Sequence, residues 1–130
     1  MRTIVLLLFT CLLSTPVTAQ TFRAENGVYV QPAANGFDVL GDGGYGARGM
    51  WCAAADYALK VLGAVSVDRI YVAKGRVPGL GQRGPVTFTM DRSDLTPRTV
   101  IIVGASLRIA GSNLSVGHAY RFCADARLTN

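Results

Sequence analysis

The cysteine spacing constrains this chain more than any other feature. Of three cysteines, Cys11 lies in a leader-like start, which leaves Cys52 and Cys123 as an even pair in the remainder. In an oxidising compartment, an even pair in a small domain is most simply a structural disulfide. Joining Cys52 to Cys123 closes a loop of about 72 residues, and chain entropy makes that roughly 4 kcal/mol of stabilisation. Against a total of about 5–15 kcal/mol for an ordinary domain, this is a large fraction. A redox dithiol favours a Cys-x-x-Cys spacing, which the sequence lacks. A metal site needs more strong ligands, and His118 is the single histidine. No metal or cofactor is expected.

The chain start supplies the compartment. Arg2 gives a positive charge, Ile4–Leu13 an uncharged apolar run, Ser14-Thr15-Pro16 a break, and Val17-Thr18-Ala19 the small residues that a signal peptidase reads. The run has about ten residues where a bilayer span takes roughly twenty. Residues 1–19 are therefore expected to be a cleavable signal peptide. Residues 20–130 are expected to form one small secreted or periplasmic domain without a transmembrane segment. The formal charge is +5 and becomes +4 once Arg2 leaves. That excess is scattered, favours anionic partners weakly, and is no nucleic-acid signature by itself.

The clearest helix is expected over Trp51–Leu62, with Gly63 as terminator. Trp51, Ala54, Ala55, Ala58, Leu59 and Leu62 form one apolar stripe, and Asp56 with Lys60 makes an i,i+4 pair. Strands are expected at Val28–Val30, Phe37–Leu40, Val67–Ala73, Val86–Met90, Val100–Val103, Leu107–Ala110 and Ala119–Cys123. The continuous apolar run Val100–Val103 reads as a central strand. Asp91-Arg92-Ser93-Asp94 reads as a polar turn, and Asp125–Asn130 as a tail or fraying last turn. This order predicts an α+β fold, a mostly antiparallel sheet packed by one principal helix, with one disulfide. Cys123 on the last strand would fasten the sheet to Cys52 at the helix start. An all-β roll with the helix at one end is the competing architecture.

Two loops are candidates for function. Gly41–Gly49 is rich in glycine and feeds the helix, so its backbone N–H groups can face an anion, with Tyr45 and Arg48 as side-chain contributors. It matches neither the dinucleotide nor the phosphate-loop pattern, and the leading account of its glycines is steric relief in a turn. The second loop, Lys74–Pro85, carries Lys74, Arg76 and Arg83 with no acid, and Leu80 stands between glycines. Such a loop can contact an acidic protein or an anionic envelope polymer, more weakly as salt rises. Nucleic acid is not expected as a partner. For chemistry, His118 and Glu25 are the least implausible acid–base pair, yet no spacing brings them together. Ser106, Ser112 and Ser115 lack a nucleophile-turn motif.

The segments Trp51–Ala58, Arg69–Val72 and Val86–Thr89 resemble small, uncharacterised exported proteins of alphaproteobacteria. The resemblance implies a Gram-negative envelope or secreted setting and supplies no catalytic residues. The sequence therefore reads as a non-enzymatic envelope or secreted protein that binds a macromolecule or acts as an accessory factor. A small secreted hydrolase acting on nucleic acid or cell-wall material, through His118 and Glu25, is the alternative.

Overall fold

Hydrophobic alternation in short segments builds most of the sheet. The computed structural model describes residues 20–77 and 84–129. Its strands are β1 (Phe22–Arg23), β2 (Tyr29–Ala33), β3 (Gly36–Val39), β4 (Arg69–Lys74), β5 (Val86–Thr89), β6 (Arg98–Thr99) and β7 (Ser112–Ser115). They form one sheet in the order β1-β2-β3-β5-β4-β7-β6. Every pairing is antiparallel except that of β6 with β7, which is parallel. The helices are α1 (Gly46–Lys60), α2 (Val103–Ser106), α3 (Val116–Arg121) and α4 (Ala124–Arg127). The fold is thus α+β, a mostly antiparallel sheet packed against one main helix.

The sheet's inner face presents Val30, Phe37, Val39, Ile70, Val72, Val86 and Phe88, all buried, to α1. Trp51 meets Phe88 edge-on with centroids 5.0 Å apart, and Tyr57 lies 4.7 Å from Phe37. Such aromatic pairs add about 0.5–1.5 kcal/mol each beyond the area they bury. Between Gly49 and Ala58 the helix is buried on its whole circumference, because the sheet takes one side while α2 and α3 pack against the rest. The alanines at 53, 54, 55 and 58 permit this close approach.

The helix starts five residues earlier than the stripe predicts and ends at Lys60, so that Leu62 is left exposed. Gly63 turns the chain with φ +68°, and Ala64 N–H donates to Ala58 O at 2.9 Å beyond it. Gly49 in the first turns lies against the preceding loop, where a Cβ would stand 2.1 Å from Asp42 O.

Three strand expectations are overturned. Val100–Val103 is no central strand: Ile101 and Ile102 form a bend with their side chains exposed, and Val103 opens α2. Leu107–Ala110 is a turn, with Arg108 N–H donating to Ala105 O and Ile109 N–H to Ser106 O. Ala119–Cys123 is helical, since Ser115 caps α3 by accepting from His118 N–H at 3.2 Å. Of the two forms expected for 125–130, a tail or a last turn, residues 125–127 take the second, in α4. Cys52 and Cys123 are disulfide-bonded, with Cα atoms 5.0 Å apart. The bond therefore ties α1 to the α3–α4 junction, helix to helix, and not helix to strand. Residues 1–19, the expected signal peptide, lie outside the described residues.

Candidate partner-binding surface

The glycine-rich loop and the last helical turns are fastened to each other. Arg48 makes a two-pronged ion pair with Asp125, Nε to Oδ2 at 2.8 Å and Nη2 to Oδ1 at 3.0 Å. Its guanidinium also lies 4.7 Å from the centre of the Phe122 ring. Tyr45 hydroxyl is 2.9 Å from Thr129 Oγ1. Both side chains are thus engaged within the chain, and Asp42 Oδ1 accepts from Gly44 N–H at 2.8 Å in the same loop.

Glu25 and His118 are assigned different neighbours. Glu25 Oε2 accepts from Tyr120 O–H at 2.6 Å, and Oε1 accepts from Arg127 Nε at 2.8 Å. The hydrogen bond to Glu25 raises the Tyr120 phenol above its ordinary value of 10.0. Glu25 N–H donates to Asp56 Oδ2 at 2.8 Å, and Lys60 Nζ lies 2.7 Å from Asp56 Oδ1. This hydrogen bond holds Lys60 above its ordinary 10.5. His118 is exposed, and its ring packs on Phe122 at 5.6 Å. Two residues apart on a helix, His118 and Tyr120 face in nearly opposite directions.

Of the basic loop, Leu80 and Arg83 lie outside the described residues; Lys74 and Arg76 line a cleft of about 280 Å³ with Asp38, Pro85 and Thr87. Arg76 folds inward: Nη2 is 2.8 Å from Met50 Sδ, and Nε finds no acceptor among the described residues. Its backbone N–H donates to Leu107 O at 2.7 Å. Gly75 touches Arg108, where a Cβ would stand 2.7 Å from the carbonyl carbon. The first leg of the basic loop is therefore stitched to the segment that follows α2.

That segment forms one wall of a groove that sequence reasoning missed. It measures about 240 Å³ and is lined by residues 98–102, Ala105, Ser106, Ile109 and Ser112, with no carboxylate. Ile101 is 89% and Ile102 68% exposed at its rim. The sequence signal was present, since Val100-Ile101-Ile102-Val103 is the most apolar run after residue 20, but it was read as buried. At the groove's floor the Trp51 indole N–H donates to Ser106 Oγ at 3.0 Å. The outer wall is β6, the last strand of the sheet. Arg98 N–H donates to Gly111 O at 2.9 Å, toward β7, so alternation turns the Thr99 N–H and C=O outward along the free edge. Arg98, Arg108 and Lys74 have no ion pair with a carboxylate among the described residues.

A larger cleft of about 520 Å³, lined by Asn35, Thr89, Asp91, Ser93 and Asp94 among others, sits at the β2–β3 turn. Asp91 there accepts from Ser93 N–H at 2.9 Å, which lowers its carboxyl below the ordinary 3.8 and accounts for its place in the expected polar turn. Among the described residues, no cluster of three His, Cys, Asp or Glu could hold a metal ion, and no helix is long and apolar enough to cross a membrane. No protein-family profile, curated protein or solved structure matches this chain.

Proposed function

We propose that the chain is a non-enzymatic module that works outside the cytoplasm by binding another macromolecule. The observation that carries this reading is the groove between β6 and α2. Two β-branched residues, Ile101 and Ile102, stand exposed at its rim, beside an unpaired strand edge. Exposed apolar side chains that line a concavity are the usual mark of a protein contact. The disulfide joins α1 to the α3–α4 junction, and α1 also packs on α2 beside the groove, which suits a domain that presents a preformed surface. The disulfide fits an oxidising compartment, secreted or periplasmic. Against the hydrolase alternative stands the engagement of Glu25 with Tyr120 and Arg127, away from the His118 ring.

The test is capture from a native envelope extract by the disulfide-bonded protein, compared with a variant carrying Ile101→Asp and Ile102→Asp. Both positions are exposed, so the variant is expected to fold. Retrieval of a defined component by the wild type and its loss from the variant supports the reading. Identical retrieval by both proteins, or none by either, overturns it.

A further inference from the structure

We propose that the β6 edge accepts an extended, acidic segment of a partner protein as an added strand, with the partner's apolar side chains seated in the adjoining groove; this rests on the reading of the chain as a binding module.

The edge supplies the main-chain half of such recognition. The outward N–H and C=O of Thr99 are the groups an incoming strand pairs with. Beyond Thr99 the chain bends at Ile101 and Ile102, which sets their side chains at the groove's rim beside this edge. Val100, Ile101, Ile102, Ala105 and Ile109 supply apolar contacts for alternate side chains of the added strand.

Charge selects the occupant. Arg98 lines the groove, Arg108 directly precedes Ile109 in its far wall, and Gly75 of the basic stretch touches Arg108. No carboxylate lines the groove beside Arg98. A segment carrying Glu or Asp satisfies the Arg98 guanidinium; a basic one is repelled. A second copy of this chain is disfavoured for the same reason, because pairing β6 with itself sets the two Arg98 side chains at neighbouring cross-strand positions. An anionic lipid surface would match the arginines and isoleucines. It would leave the outward Thr99 N–H and C=O without partners in an apolar medium, which an added strand does not.

The probe is a short fluorescent peptide alternating glutamate and valine, offered to the disulfide-bonded protein, with a lysine–valine peptide and phosphatidylglycerol vesicles as the other arms. Saturable binding of the glutamate peptide is expected, weakening as salt rises, with slower amide exchange at Thr99 and a change in Trp51 emission. Ile101→Asp and Thr99→Pro are each expected to weaken it by about tenfold or more, the latter by removing the outward N–H. Far-ultraviolet circular dichroism checks that both variants fold, and Ile101→Asp serves alone if Thr99→Pro does not. Equal binding of the two peptides, binding untouched by Ile101→Asp, or isoleucine-dependent binding of vesicles without peptide overturns the proposal. Should extract capture depend on Ile101 and Ile102 while the peptide does not bind, the acidic-strand inference falls and the binding-module reading stands.

Discussion

The indole N–H of Trp51, in the middle of the core, donates at 3.0 Å to the hydroxyl of Ser106, the last residue of α2. Ser106 in turn donates to the Val103 carbonyl one turn back. This chain of two bonds fixes a four-residue helix that is too short to hold itself.

Ser106→Ala is expected to leave a buried indole donor without its acceptor, at a cost of about 1–3 kcal/mol. Urea unfolding followed by the fluorescence of Trp51, the single tryptophan, measures it directly. Ile101→Asp, at a solvent-facing position close by, should stay within about 0.5 kcal/mol of wild type in the same assay. If the two variants unfold at the same urea concentration, Ser106 does not anchor α2.

Removing the cross-link should be the larger insult. Cys52→Ala is expected to lower stability by roughly 4 kcal/mol, given the sequence separation of 71 between the two cysteines. Unreduced protein freed of residues 1–19 should show no reactive thiol. Two reactive thiols in the folded, unreduced protein would refute the pairing.

Asp56 is wholly buried, yet it serves two partners, Glu25 N–H and Lys60 Nζ. Asp56→Asn should cost about 2 kcal/mol, the range for a hydrogen bond to a charged group. Lys60→Met should cost less than about 1 kcal/mol, because the ammonium is half exposed and solvent screens it. Thermal melts of the two variants give the comparison, and a larger loss for Lys60→Met would reverse the assignment.

Alkaline pH should loosen the same corner. Tyr120 and Lys60 both have folded-state pKa values raised above 10.0 and 10.5 respectively, each through a hydrogen bond to a carboxylate. The folded state holds each proton more tightly than the unfolded chain does. The stabilisation is therefore complete below pH 10 and disappears as pH climbs past the folded-state values. Tyr120→Phe should flatten part of that decline between neutral and strongly alkaline pH. A wild-type melting temperature that stays level above pH 10 would contradict this.

The helix–sheet layering was legible in the sequence because its signals agree with one another. Ala-rich periodicity, Gly63 and the Asp56–Lys60 spacing all point to a helix, and the Val86–Thr89 alternation to a strand. The segments that misled are those where local preference and position disagree. Val100–Val103 has the composition of a buried strand, but tertiary pairing stops at Thr99 and leaves Ile101 and Ile102 at the surface. Tyr120-Arg121-Phe122 alternates for too few residues to separate a strand from a helix face. The decisive sign there was Ser115, three residues before His118, in the position of a helix cap. β7, Ser112–Ser115, was passed over because Ser and Asn are poor strand formers; Asn113 instead holds its place through Nδ2 bonds to the Arg98 and Gly111 carbonyls. Of the sequence-stated contacts, the covalent pair was right and its setting was not. The groove was missed with the Val100–Val103 strand, since a run assumed to be interior is never considered as a surface.

Cys123 follows all seven strands of the described residues. A chain made from its N-terminus presents all seven of these strands before the second sulfur is at hand. Covalent closure therefore waits until the segments of the whole described sheet are present. Until the segment holding Cys123 is made, Cys52 has no second cysteine to join among the described residues.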